Sequence, residues 1–269
     1  MQKKIEFHEF QQIAKEILKT LTDYLNAHDL RYYLAYGTLL GAVRHHDIIP
    51  WDYDIDIQMP RPDFDRFLSL TAKEPVAPHL KVFSWENCKN YYQPFLKICD
   101  TRTRLIITKT KHTHIPLGIW VDIFPLDGAY KEEENNLALQ RQAHTHLRTA
   151  QAPFIVTQSW KEWLWQVPRR LCGVVRPAAD EIKKVNEIAK TLPYETSEYI
   201  GQIVSSGANV KKDVFPREWL QPAKMPFDKY EYTVPAAYDK ILRQQYGDYM
   251  QLPPEADRQI PGSFSYWVK

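Results

Sequence analysis

The stretch that most limits what this chain can become runs from Tyr36 to Gln58, YGTLLGAVRHHDIIPWDYDIDIQ. It starts with Gly37 and Thr38 after an aromatic, strand-like run (Tyr32, Tyr33, Tyr36), continues as a short apolar helix, and turns at Pro50 and Trp51 into an alternating acidic strand. Side chains of a strand alternate between faces, so Asp52, Asp54 and Asp56 project one way and Tyr53, Ile55 and Ile57 the other. Carboxylates two positions apart stand about 7 Å from one another. Setting them beside an apolar core is costly unless a cation or hydrogen-bond donors compensate. A hard divalent cation meets that need, since paired carboxylates completed by water and phosphate oxygens are the ligands Mg2+ accepts. A bare DxD fits a solvated edge strand as well, so the companion features decide between the two.

Upstream, apolar residues from Glu6 to Leu30 (Phe7, Phe10, Ile13, Ile17, Leu21, Tyr24, Leu25) recur at three- and four-residue steps, the pattern of an amphipathic helix that covers a sheet. The run Tyr32 to Tyr36 then reads as a short buried strand delivering Gly37. Glycine lets the backbone approach a ligand, and Thr38 suits an N-cap whose helix would offer free N–H groups and a positive dipole end to a phosphate. Arg44, His45 and His46 close that helix, where cations suit the dipole, and Arg44 is a candidate phosphate contact.

Downstream, Pro60 and Pro62 stop the extended run, and Phe64, Phe67, Leu68 and Leu70 suggest a short helix. Three β-branched and aromatic runs follow, LKVFSW, YYQPFLKI and TRLIIT, with Lys97 and Arg102 placed to meet phosphate oxygens. The segment Gly118 to Gly128, GIWVDIFPLDG, reads as an apolar strand interrupted by Asp122. One buried carboxylate needs a partner, and the economical one is the same cation site reached from a neighbouring strand. Asp127, past Pro125, falls at a predicted turn with a structural or supporting role. From Lys131 to Thr149 and from Asp180 to Lys190 the texture is helical. Between them, SWKEWLWQVPRRLCGVVRP mixes Trp160, Trp163 and Trp165 with Lys161, Arg169, Arg170 and Arg176, a composition suited to a bilayer interface and equally to a helix packed on its own domain. Near the end, Pro235 is expected to open a helix carrying Tyr238, Ile241, Leu242 and Tyr246, with Gly247 ending it.

Composition bounds the rest. With 35 basic and 33 acidic residues the 269-residue chain has no bulk electrostatic case for nucleic acid. MQKKIEFHEF lacks the apolar region of a signal peptide, and no run approaches the roughly 18 apolar residues of a membrane span. Cys88, Cys99 and Cys172 lack zinc spacing and fit reduced thiols. A cytoplasmic protein is expected, with peripheral contact at the inner face of the cytoplasmic membrane.

YGTLLGAVRHHDIIPWDYDIDI, then GIWVDIFPLDG, then VPAAYDKILRQQYGDYMQLPP, in that order and at these separations, resemble the LicD family of phosphotransferases, related to the fukutin group. The resemblance implies an α+β fold, a nucleotidyltransferase-like mixed β-sheet core flanked by helices, with an additional helical subdomain. Residues 1–128 would form the catalytic core, 129–195 the helical subdomain facing acceptor or membrane, and 196–269 a C-terminal segment packing back. Gly37 and Thr38 would hold nucleotide phosphates, Asp54 and Asp56 would bind metal, and Asp122 would be the third acid and candidate base. Arg44 and Lys97 join them as candidate phosphate contacts. The implied cofactor is Mg2+, one or two ions, replaceable by Mn2+. The implied reaction carries phosphocholine from CDP-choline, or another phospho-alcohol from a related CDP-alcohol, to a sugar hydroxyl of a lipid-linked teichoic acid or lipopolysaccharide precursor. Nucleotidyl transfer and a degenerate scaffold are the alternatives. Choline would call for an aromatic box, with Tyr91, Tyr92, Trp85 and Trp120 as candidates. The chain departs from the family pattern at Tyr53, where relatives often carry a further acid.

Overall fold

A computed structural model describes residues 4–107, 115–154, 167, 176–205, 207–259 and 264–268. The amphipathic N-terminal pattern becomes helix α1, Phe7–Ala27, which turns Phe10, Ala14, Ile17, Leu18, Leu21 and Leu25 inward. It stops where Asp29 adopts a left-handed backbone (φ 52°) and the Leu30 N–H reaches the Leu25 carbonyl at 2.9 Å, a bond that satisfies one orphan carbonyl of the last turn.

The strands that follow are β1 (Tyr33–Leu34), β2 (Asp56–Pro60), β3 (Leu80–Phe83), β4 (Leu96–Asp100), β5 (Thr103–Ile107) and β6 (Trp120–Ala129). Helices α2 (Tyr36–Arg44) and α3 (Arg61–Thr71) flank β2. They are followed by α4 (Glu133–Gln151), α5 (Ala178–Ala189), β7 (Tyr199–Gly201), the short α6 (Val210–Asp213), β8 (Val214–Pro216), the hairpin β9 (Pro222–Phe227) and β10 (Tyr230–Pro235), α7 (Tyr238–Tyr246) and β11 (Phe264–Val268). The main sheet runs β1-β2-β6-β4-β3, with β7 and β8 continuing from the far end of β6. Strands β2 and β6 are parallel, whereas β1–β2, β4–β6, β3–β4 and β6–β7 are antiparallel. This mixed sheet with surrounding helices is an α+β fold.

Register decides which residues meet. Ile57 lies opposite Ile123, which lies opposite Leu96, and Val121 lies opposite Ile98; all five are fully buried on one face. Each such aliphatic side chain stabilises the fold by roughly 1.5–3 kcal/mol. Burying that face forces the alternate residues, Asp56, Asp122 and Lys97, onto the other face. Helices α4 and α5 pack on one another, and Ala143, Leu147, Ile182 and Val185 join the same apolar core.

Several sequence expectations need correction. The acidic strand begins at Asp56 rather than Asp52, because residues 52–55 approach β6 without entering a ladder, apart from the Asp122 N–H on the Ile55 carbonyl at 2.8 Å. The strand before Gly37 is only Tyr33–Leu34, and Tyr36 already belongs to α2. Ala35 occupies the N-cap position expected for Thr38. The run YYQPF stays outside β4, and Asp127 lies within β6 instead of at a turn. Pro235 closes β10 rather than opening a helix; α7 begins at Tyr238. The missing N–H of Pro235 is tolerated at the end of its strand, opposite Pro222. Cys88 and Cys99 are free thiols. The tryptophan- and arginine-rich run lies outside the described residues except Val167, Arg176 and Pro177, and among the described residues no helix is long and apolar enough to cross a membrane.

Candidate active site

Three central strands place three charges in one row: Asp56 on β2 lies opposite Asp122 on β6, which lies opposite Lys97 on β4. Neighbouring strands stand about 4.8 Å apart, so the head groups converge. Asp54 enters from the extended segment just before β2. One carboxylate oxygen each of Asp54, Asp56 and Asp122 lies within 4.8 Å of the others. Asp122 is 6% exposed, while Asp54 and Asp56 are half-buried and open to a ligand. The Lys97 ammonium donates to Asp122 Oδ1 at 2.5 Å, and Trp120 Nε1 donates to Oδ2 at 3.0 Å. The same ammonium sits 4.2 Å above the Trp120 ring and 5.3 Å from that of Phe95, so packing and charge together hold it against Asp122.

The electrostatics are lopsided. Burial, then Asp52 and Asp122, push the Asp54 carboxyl up to about 8. Burial does the same to Asp56, reinforced by Asp54, Asp122 and Asp52, and holds it well above the usual carboxylate range. Burial also raises Asp122, although Lys97 and Trp120 pull it back. Asp52, raised by burial, shares a hydrogen bond with Asp54. Lys97 alone cannot neutralise four neighbouring carboxyls, so protons or a cation must make up the difference. The donor set fits a cation: hard oxygen ligands, converging and accessible, in excess of local positive charge. Asp54, Asp56 and Asp122 are therefore a group that can hold a metal ion.

Helix α2 sets this arrangement from behind. Thr38 Oγ1 accepts the Asp56 N–H at 2.8 Å, and the Ala35 N–H donates to the Asp56 carbonyl at 3.1 Å, so both backbone groups of Asp56 are fixed. A Cβ on Gly37 would stand 2.5 Å from Asp52 Oδ2, which explains the glycine without any left-handed backbone. Gly37 and Thr38 thus support the acids directly. Asp52 serves its turn too, accepting the Tyr53 N–H at 3.0 Å, yet its carboxyl is also the fourth acid of the cluster.

The other candidate residues separate. Arg44 donates to the Tyr249 carbonyl at 2.8 Å at the far end of α2. Tyr91 lies in the core with its hydroxyl on the Phe95 carbonyl at 2.9 Å, and Trp85 stacks on Phe64 in the same core. Tyr92 stacks on Phe154 at 5.0 Å. Of the four aromatic candidates, Trp120 is the one that touches the acid row. The structure also brings further residues toward the acids. Tyr246 on α7 has its phenol raised by burial and then by Asp56, Asp52, Asp213 and Asp54. Tyr36 bonds Gln58 and Gln202, and Asp213, pushed up to about 6 mainly by burial, belongs to the same surroundings. Strand alternation could have found Gln58 and Phe124, two positions beyond Asp56 and Asp122, and Tyr246 lies within the third of the quoted motifs; no local pattern ties Gln202 or Asp213 to the site.

A cavity of about 780 Å3 lies elsewhere, beside β1, lined by residues including Arg31, Tyr33, Tyr194 and Arg217. Arg31 is paired with Asp63 at 2.6 Å and with Glu195 at 3.4 Å, and Arg217 reaches Glu195 at 4.0 Å, so its charges are balanced and the acid row is not part of it.

Known proteins resemble this chain over most of its length. Over 267 residues, 95% of this chain and 96% of the relative, the chain is 28% identical to the lipopolysaccharide cholinephosphotransferase LicD of Haemophilus influenzae. A 43-residue segment, 16% of this chain and 9% of the relative, is 51% identical to the ribitol 5-phosphate transferase FKRP of Homo sapiens. An uncharacterised Rickettsia typhi protein is 30% identical over 118 residues, 44% of this chain and 35% of that protein. The family model described as LicD/FKTN/FKRP, nucleotidyltransferase domain, matches residues 29–170, a span that contains α2, the acid row and Lys97. The chain belongs to the LicD/FKTN/FKRP nucleotidyltransferase-domain family.

Proposed function

We propose that this chain is a metal-dependent phosphotransferase that carries phosphocholine from CDP-choline to a sugar hydroxyl of a lipid-linked glycan, a teichoic acid or lipopolysaccharide precursor, and releases CMP. The observation that carries the reading is the convergence of Asp54, Asp56 and Asp122 within 4.8 Å, with Lys97 paired to Asp122. The match along nearly the whole length of a cholinephosphotransferase supports the choice of transferred group. Asp54, Asp56 and Asp122 would hold Mg2+, as one ion or two, or Mn2+ in its place; when bound, the metal supplies charge neutralisation for the donor diphosphate.

The chain's own residues have distinct parts. Lys97 and Trp120 fix the plane of Asp122 by engaging one oxygen each, leaving each oxygen a further lone pair. Asp122 is assigned as the base. The acceptor hydroxyl attacks the choline-bearing phosphorus in line; a new P–O bond forms, the bridging P–O bond to CMP breaks, and the hydroxyl proton passes to Asp122. Thr38 and Gly37 keep Asp56 and Asp52 in place for this geometry and, with Arg44, are proposed phosphate contacts. Tyr92 and Trp120 are proposed contacts of the donor, whereas the core position of Tyr91 suits a supporting part. Helices of the 129–195 region are the proposed acceptor side, in contact with the inner face of the cytoplasmic membrane.

A second reading has its own support. The segment 51% identical to a ribitol 5-phosphate transferase favours phosphoribitol from CDP-ribitol as the alternative transferred group. Purified protein with Mg2+ should release CMP from one of these two donors, and faster when a lipid-linked glycan is present. With the donor labelled in both halves, the alcohol phosphate should appear on the glycan. A nucleotide on the glycan would replace this reading with nucleotidyl transfer, and no release from any CDP-alcohol would end it.

A further inference from the structure

Two residues beyond the acid row the same sheet face changes character. Gln58 on β2 lies opposite Phe124 on β6, and the ring of Phe95, just ahead of β4, comes to 4.4 Å from that of Phe124, centroid to centroid. The Tyr36 ring meets Phe124 edge-on at 5.5 Å. Every other residue of β6 is buried; Phe124 is left partly open, so a partly exposed aromatic ring stands on the acid-bearing face of a central strand.

Along the edge of that surface runs a polar chain. Gln58 Nε2 donates to the Tyr36 hydroxyl at 3.0 Å, and that hydroxyl donates to Gln202 Oε1. The head-to-tail order leaves Gln202 Nε2 without an acceptor among the described residues, on a side chain only 5% exposed. Tyr36, which orients the amide, has a left-handed backbone (φ 47°), a conformation that sterics disfavour for a bulky side chain and that a fold keeps where the side chain must be aimed. A buried donor with no acceptor calls for an explanation, and the hydroxyl that holds this amide belongs to the same Tyr36 ring that meets the partly open Phe124.

We propose that this face is the subsite for the nucleobase of the donor nucleotide, with the base stacked on Phe124 and Gln202 Nε2 donating to a ring nitrogen or carbonyl oxygen on the base edge. The inference rests on the nucleotide-donor reading above. A flat aromatic surface suits a planar heterocycle. The amide donor selects against a quaternary ammonium group at this spot, since that group offers no lone pair. Spacing agrees as well: the aromatic row lies about 7 Å from the acid row along the strands, a distance that a ribose spans between base and phosphate.

Titration calorimetry of the full chain with Mg2+, using CMP in one arm and inorganic pyrophosphate in the other, separates this subsite from the acids. Gln202→Met should weaken CMP about tenfold by removing one hydrogen bond, and Phe124→Leu should weaken it by a similar factor of about ten. Pyrophosphate should bind both variants within about twofold of wild type, since the acids are untouched. Variants that bind CMP as tightly as wild type would overturn the subsite alone. A wild-type chain that binds pyrophosphate but neither CMP nor CDP-choline would overturn the nucleotide-donor reading itself. Should the variants fail to fold, saturation-transfer NMR of CMP on the wild-type chain still decides. Saturation strongest at the base protons H5 and H6 supports the stacked base, and saturation strongest on the ribose overturns it.

Discussion

Strand β6 carries two buried carboxylates, and their surroundings could hardly differ more. Asp127 meets Arg61 through two parallel bonds, Nε to Oδ1 at 2.6 Å and Nη2 to Oδ2 at 2.8 Å. The remaining Arg61 nitrogen donates to Asn186 Oδ1 at 3.0 Å. Charge and hydrogen-bond capacity are balanced on the spot, so the group acts as a joint between α3, β6 and α5. Asp122 shares one lysine with Asp52, Asp54 and Asp56. Carboxyls kept in such excess cost stability in the absence of a ligand, and the fold retains them where a ligand supplies the missing charge. A buried acid is thus informative through its local balance rather than through its burial.

Breaking the unbalanced side should have the largest effect. Asp56→Asn is expected to lower turnover on the order of 10³-fold, the loss of several kcal/mol of charge stabilisation, while the metal-free melting temperature rises because a like charge has gone. A CMP-release assay beside a thermal melt checks both, and an active variant would sink the assignment of the acids. Breaking the balanced side should do the opposite. Arg61→Leu leaves Asp127 buried and unpaired at a cost of about 3–5 kcal/mol, read from urea unfolding. The double variant Arg61→Leu with Asp127→Leu should recover most of that loss, and per folded molecule its turnover should stay near wild type. A smaller effect is expected from Lys97→Met. It frees the Asp122 plane and takes away the cation that offsets the acids, so turnover should fall by roughly 10–100-fold and metal-free stability should fall as well; steady-state kinetics and a thermal melt on the variant measure the two.

The smallest effect separates the two sites by pH. The Asp54 carboxyl titrates near 8 in the folded chain and at about 3.9 when unfolded, so between these values the folded state binds more protons. Metal-free stability should therefore fall as pH rises through that window and level off above about 8. A divalent cation replaces those protons, so the rise in melting temperature on adding Mg2+ should be small near pH 5 and largest above pH 8. The same rise in an Asp54→Asn variant should lose most of its pH dependence. A gain that shrinks with rising pH would contradict the cation site.

What was legible followed from local rules. Period 3.6 revealed α1, alternation paired Asp54 with Asp56 although Asp54 lies just ahead of β2, and a lone acid in an apolar run marked Asp122, because each pattern lies within a contiguous run. The misreadings came from competition between local and tertiary demands. Thr38 looks like a cap, yet its hydroxyl is drawn to the Asp56 N–H across the sheet edge. Pro235 looks like a helix start, yet the β9–β10 hairpin claims it as a last strand residue. Asp127 looks like a turn residue after Pro125, yet Arg61 from the start of α3 makes strand burial affordable in energy.

The sequence by itself determined which residue types could do chemistry here, since periodicity and acid spacing are properties of contiguous residues, and its three motifs implied the α+β class through their family resemblance. Tertiary structure decided the rest. The register of β2, β6 and β4 put Asp56, Asp122 and Lys97 in a single row, and folding back of the chain beyond residue 200 brought Gln202, Asp213 and Tyr246 beside them. The reason is physical: a carboxylate's proton affinity and a side chain's neighbours depend on distance and burial, and for residues far apart in the chain neither quantity exists until the sheet has formed.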